Sequence, residues 1–251
     1  MNLTDSQLSE FKENGFLIIR QLVPPAVCAH MLAVTQQQLS NPIEPLEYEA
    51  EVGYHGAPAS RDAPGGATIR RLRSAYQRDA GFRAWAENPA QVAKLEQLLG
   101  EKIALTLAHH NCVMTKYPTF GTATGWHRDI RYWSYTKPDL VCVWLALGPE
   151  TANNGGLKFI PGSHRLTLSP EQLDNLDFLR PDVPENDALF AQGRQVELQQ
   201  GDVVFFHSRL FHAAGRNNSD TVKTSVVFAY RGLSNTPIVG SKSAASGEVL
   251  L

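Results

Sequence analysis

The sequence of 251 residues predicts a mainly β fold, a jelly roll or related β sandwich, with helical additions at its N-terminal end. From residue 101 onward, about eight short apolar segments follow one another, split by Gly, Pro and Asn turns. So many short strands in ~130 residues favour packed antiparallel sheets over a parallel sheet with crossover helices. Before residue 100 the apolar spacing is mostly helical. The character changes without a linker, so one domain over 1–251 is expected: a helical part over about 1–100, a jelly-roll core over about 101–232 and a tail over 233–251.

In order, "LTDSQLSEFKENGF" carries a capping box, Thr4 with Gln7, and a stop at Gly15. "FLIIRQLV" is a short β-like run. "PPAVCAHMLAVTQQQL" opens on prolines, as first helical turns often do. Residues 41–67 have no clear period and read as a long loop, expected to be a mobile lid. "DAGFRAWAENPAQVAKLEQLLG" gives two short helices ending at Gly100. The strand-like segments are then "KIALTLAHHNCVMTKY", "GWHRDIRYW", "DLVCVWLAL", "GGLKFI", "RQVELQQ", "GDVVFFHS", "LFHAAG" and "KTSVVFAYRG".

A net charge of −2 provides no basic field for nucleic acid. No apolar run approaches the ~18 residues of a membrane span, and the first residues do not read as a signal peptide. Cys28, Cys112 and Cys142 are odd in number and far apart, which suits reduced thiols and a cytoplasmic location. The oligomeric state is left open.

"GWHRDIRYW" sets His127 and Asp129 two residues apart. On a strand, such residues share a face, so both side chains can reach one ion. Two histidines and a carboxylate on one face of an octahedron would suit a non-haem Fe(II) site with open positions. Alone, the pair is weak evidence, since most such pairs are a polar stripe on the surface. A third ligand downstream would come from His164, His207 or His212. His164 follows a strand in a turn, His207 ends an apolar run, and His212 opens "HAAG", whose small residues leave room beside the imidazole.

Taken together and in order, "GWHRD", "VWLALGPETANNGGLKFIPGSH", "GDVVFFHSRLFHAAGRNNSD" and "KTSVVFAYRG" resemble the phytanoyl-CoA dioxygenase family over roughly residues 5–232. The resemblance implies a double-stranded β-helix, a cupin-like jelly roll flanked by N-terminal helices. It implies an Fe(II)- and 2-oxoglutarate-dependent dioxygenase that hydroxylates a small-molecule substrate with O2, converting 2-oxoglutarate to succinate and CO2. It places the metal triad on His127, Asp129 and His212, with His207 at a position that does not bind metal. The family's arginine for the distal carboxylate of 2-oxoglutarate falls on Lys223, followed by Ser225. This is a departure, since lysine lacks the planar fork of arginine. Arg216 and Arg231 are fallback cations. Trp144 matches an aromatic beside the cosubstrate, Cys112 falls where the family often contacts it, and "K-x-P" is Lys116-Tyr117-Pro118. Arg70 and Arg71 align with a basic position near the pocket, with at least one expected to be solvated. Arg128, Arg131, Trp126, Tyr132, Trp133 and Tyr135 would ring a mouth suited to a small acidic or planar substrate. Two other readings stay open: a non-catalytic jelly-roll binding protein, and an oxygenase that needs no oxoacid.

Overall fold

A computed structural model describes residues 2–251. In chain order the first part holds α1 (Asp5–Asn14), β1 (Phe16–Ile19), α2 (Pro25–Ser40), β2 (Leu46–Tyr48), β3 (Ile69–Arg73), α3 (Ala75–Arg78), α4 (Ala80–Ala86) and α5 (Pro89–Leu99). β4 (Ile103–Lys116), β5 (Thr124–His127), β6 (Leu140–Ala146) and β7 (Leu157–Phe159) come next. They are followed by α6 (Asp187–Phe190), β8 (Arg194–Gln195), β9 (Val203–His207), β10 (His212–Ala214), β11 (Lys223–Gly232), α7 (Lys242–Ala245) and β12 (Glu248–Leu250).

The helix ends follow their local chemistry. Thr4 and Gln7 form the capping box of α1, and Gly15 closes it in the left-handed region. Asn88 caps α5, which opens on Pro89 and ends at Gly100, again left-handed.

Among the described residues the strands form two sheets. The larger runs β1-β9-β6-β11-β4-β3-β2, with β12 also on β4; the smaller runs β5-β10-β7-β8. Neither closes on itself, so the architecture is an open jelly roll with helices on the outer side of the larger sheet. Leu105, Val113, Val143, Phe205 and Phe228 join the helices in one apolar core. The opposite parity, with Cys112, Trp144, Phe206 and Val227, faces the smaller sheet in a second core. The functional groups lie at the polar edge of this second core.

The N-terminal part is less purely helical than expected, because β1, β2 and β3 join the larger sheet. The stretch 41–67 contains β2 and a 3-10 turn at Glu49–Glu51. The tail adds α7 and β12, whose backbone pairs with Thr106, Leu105 and Ala104. Within "GWHRDIRYW" the strand stops at His127 and a 3-10 turn covers Asp129–Tyr132. No helix among the described residues is long and apolar enough to cross a membrane.

Candidate metal centre and cosubstrate cradle

Antiparallel pairing of β5 with β10 sets His212 directly opposite His127. Asp129 begins the turn after β5. Its side chain still points the same way because Arg128 remains extended, at φ −116° and ψ 136°. The backbone N–H of Ile130 donates to Ser208 O at 2.9 Å, which ties that turn to the end of β9. The three side chains are buried, and one ligand atom from each lies within 4.8 Å of the others.

Each ring presents the correct nitrogen. His127 Nδ1 lies 2.9 Å from Gly125 O, and His212 Nδ1 lies 3.1 Å from Leu210 O. A proton held there leaves each Nε2 with its lone pair, the arrangement of a ligating imidazole. The two Nε2 atoms each sit 3.5 Å from an Asp129 oxygen, His127 on Oδ1 and His212 on Oδ2. Burial pushes His212 down to about 4, so its imidazole is neutral near pH 7. Burial by itself would raise the Asp129 carboxyl, but the neighbouring His110 and His212 hold it well below the usual carboxylate range. Asp129 Oδ1 is buried without a hydrogen-bond partner. A carboxylate with one orphaned oxygen and an imidazole lone pair beside each of its oxygens is what a divalent ion would satisfy. The donor set fits Fe(II).

Two supporting groups were not legible in the sequence. His110 Nε2 lies 2.8 Å from Asp129 Oδ2, and the Cys142 thiol donates to the same oxygen at 3.7 Å. His110 gets there through a bulge: β11 pairs Phe228 with Asn111 but the next residue, Ala229, with Thr106, so residues 107–110 loop out of register. His109, within the bulge, is in the left-handed region at φ 59°. "AHHN" carries no periodic sign of this.

The other histidines lie elsewhere. His207 Nε2 is 3.5 Å from Asp139, and its Nδ1 accepts from Arg209 N at 3.0 Å. The His164 ring lies tilted 5.3 Å from that of His207, and its Nδ1 is buried without a hydrogen-bond partner.

The residues expected at the cosubstrate end come together on the inner face of the larger sheet, but around a side chain of this protein. Lys223 Nζ donates to Glu150 Oε2 at 3.2 Å. Ser225 Oγ donates to Glu150 Oε1 at 2.5 Å, and Trp144 Nε1 to the same oxygen at 2.9 Å. Glu150 and Ser225 are fully buried. As folded, this cradle therefore does not fit a second carboxylate. Cys112 Sγ faces Met114 Sδ at 3.6 Å, and it is Met114 that lines the cavity at the triad. Of the fallback cations, Arg231 is committed to Glu248, at 2.6 Å from Nε, far along β11, and Arg216 is exposed. Lys116, the cross-strand partner of Lys223, is buried and donates from Nζ to Gly215 O at 2.5 Å.

Neither Arg70 nor Arg71 is solvated. Arg70 is 3 % exposed and pairs with the buried Glu49 at 2.9 Å. Arg71 pairs with Glu47 at 2.6 Å. Both line the cavity at the triad, which has a volume of about 50 Å³. Arg71, His109 and Tyr132 continue into two outer clefts of about 210 and 380 Å³. Tyr54, from the stretch expected to be a lid, covers the cavity, and its hydroxyl meets that of Tyr132 at 2.9 Å. Arg131 donates to Tyr132 Oη at 2.7 Å and lies 4.4 Å from the Phe178 ring centre. Trp133 and Tyr135 are not at this mouth: Trp133 Nε1 donates to Ala108 O, and the Tyr135 hydroxyl to Glu248.

Residues 11–225 match the family model for phytanoyl-CoA dioxygenase (PhyH). The chain belongs to the phytanoyl-CoA dioxygenase family. The peroxisomal phytanoyl-CoA dioxygenase of Homo sapiens is 27 % identical over 243 residues, covering 89 % of this chain and 67 % of that protein. L-proline trans-4-hydroxylase of Streptomyces griseoviridis is 27 % identical over 193 residues, covering 69 % and 71 %. The crystal structure of EctD from S. alaskensis with 2-oxoglutarate and 5-hydroxyectoine superposes with a TM-score of 0.75 at 17 % identity, covering 94 % of this chain and 78 % of that one. This PhyH-family chain thus shares its fold with a protein only distantly related in sequence.

Proposed function

We propose that this PhyH-family protein is an Fe(II)- and 2-oxoglutarate-dependent dioxygenase that hydroxylates a small molecule within one domain spanning the whole chain. The observation that carries the metal assignment is the Asp129 carboxylate, its Oδ1 orphaned, between two imidazoles whose Nδ1 atoms are already tied to backbone carbonyls. Iron held there would supply the oxidising chemistry, with O2 as the oxidant: one oxygen atom goes to the hydroxylated substrate and the other to the succinate formed, with CO2, from 2-oxoglutarate. The relatives named as dioxygenase and hydroxylase, and the 2-oxoglutarate in the EctD structure, support the reaction class.

The chain's own residues have three tasks. His127, Asp129 and His212 hold the ion on one side. His110 and Cys142 fix Asp129 Oδ2 so that the carboxylate cannot turn away. Tyr54, with Tyr132 and Arg131 beside it, closes the cavity toward the outer clefts and keeps water from it. Burial pushes the Tyr54 phenol up, but Arg71, Arg70, the Tyr132 hydroxyl and Arg131 together hold it below its ordinary value. A mouth of arginines and phenols suits an anionic substrate with a flat or apolar portion. Oxygen uptake and succinate formation, measured with Fe(II), 2-oxoglutarate and a panel of amino acids, small acids and acyl thioesters, test the proposal. Oxygen uptake independent of 2-oxoglutarate would replace it with an oxygenase that needs no oxoacid. Absence of both activities and of iron binding would leave a binding protein.

A further inference from the structure

Glu150 lies in the loop between β6 and β7, yet its side chain turns inward and is wholly buried. Its backbone is pinned by a two-way bridge to Leu198, with both N–H···O distances at 2.9 Å. Its carboxylate accepts from Trp144, Ser225 and Lys223, an indole N–H, a hydroxyl and an ammonium. Trp144 also lines the cavity at the triad, and Ser225 pairs across the sheet with Met114, which lines it too. The Glu150 carboxylate therefore lies next to the cavity at His127, Asp129 and His212, joined to its lining through Trp144. The cavity that remains at the triad is small, about 50 Å³.

We propose that Glu150 is an internal stand-in for the distal carboxylate of the cosubstrate, so that 2-oxoglutarate binds by displacing it from Lys223 and Ser225, and Glu150 thereby sets which oxoacid the protein accepts and how tightly. This rests on the oxygenase reading of the same site. One ammonium in a dry pocket balances one carboxylate, and two carboxylates there would repel each other strongly. With the backbone held by Leu198, the exchange falls to the Glu150 side-chain torsions. Lys116, paired across the strands with Lys223, is the second buried cation on that face and the partner for the displaced carboxylate. Burial, together with Arg70 and Lys223, holds the Lys116 ammonium well below its usual range, so an arriving carboxylate would stabilise its charged form.

The test is a binding measurement on the full chain loaded anaerobically with Fe(II), followed by calorimetry and tryptophan fluorescence. The ligands are 2-oxoglutarate and 2-oxobutanoate, which lacks the second carboxylate. Glu150→Gln keeps the shape but removes the competing charge; Glu150→Leu/Lys223→Met removes both charges and opens no salt bridge. Thermal unfolding checks that each variant is folded. Glu150→Gln is expected to bind 2-oxoglutarate at least about tenfold more tightly than the parent, since charge-assisted bonds from Lys223 become free for the ligand. Its affinity for 2-oxobutanoate should stay within about twofold, and the double variant should show no gain for 2-oxoglutarate. Unchanged or weaker 2-oxoglutarate binding by Glu150→Gln overturns the proposal, as does an equal gain for both acids, which would signify mere widening. If iron binds but no protein, parent included, binds 2-oxoglutarate, the oxygenase reading falls together with the role of Glu150. If all bind it equally, only the role of Glu150 falls.

Discussion

Replacing His110 by alanine should weaken metal binding without touching a ligand. In the folded protein, His110 Nε2 supplies Asp129 Oδ2 with its short contact, 2.8 Å, and the residue is buried. Without it, that oxygen keeps only the Cys142 thiol at 3.7 Å and the His212 Nε2 at 3.5 Å. Outer partners of metal ligands are commonly worth about 10–100-fold in affinity, or ~1.4–2.7 kcal/mol. A pH signature should accompany the loss. Burial pushes the Asp129 carboxyl up, and His110 is the foremost group holding it down. Its removal raises that carboxyl, so a proton competes with the metal, and the deficit should be greater at pH 6 than at pH 8. His110→Gln, which retains an N–H donor, should recover much of the affinity. Competition titrations of Co(II) or anaerobic Fe(II) against a chromophoric chelator measure this. Metal affinity for His110→Ala within twofold of the parent at both pH values would refute the reasoning. So would a glutamine variant as weak as the alanine one.

Alanine at His127, Asp129 or His212 should abolish stoichiometric Fe(II) binding, while His207→Ala should leave it intact; the reverse result for His207 and His212 would reassign the distal ligand. Lys223→Ala leaves the buried Glu150 carboxylate without its cation and should cost ~3–5 kcal/mol of stability, read as a lower urea midpoint, with Glu150→Leu/Lys223→Met less affected than the single variant. The metal-free protein should lose stability as pH falls from 6.5 to 4. His212 is pushed from its ordinary 6.5 down to about 4 by burial, so between those values the unfolded chain binds the proton and the folded one does not. A shift of that size corresponds to ~3 kcal/mol. The lowered Asp129 carboxyl acts in the same direction at lower pH, and equal urea midpoints at pH 7 and pH 4.5 would contradict the assignment.

Sequence alone determined the parts governed by local rules. The capping box at Thr4, the stops at Gly15 and Gly100, and the apolar runs of the core strands depend on neighbours a few residues away. The family motifs, in order, made the triad legible, and i, i+2 parity placed His127 and Asp129 on one side even though the strand ends between them. Only the tertiary structure decided how these pieces meet. The β5–β10 register set His212 opposite His127, 85 positions further along the chain. The bulge in β4 delivered His110 to Asp129, because pairing with β11 skips residues 107–110. At least one of Arg70 and Arg71 was expected to be solvated, yet Arg70 is buried and Arg71 half-buried in the fold, since Glu49 and Glu47 meet them from a stretch without any period. Lys223 appeared as a free cation for a ligand. That it already holds Glu150, 73 residues earlier in the chain, follows from a loop side chain turned into the core, and no local spacing encodes that contact.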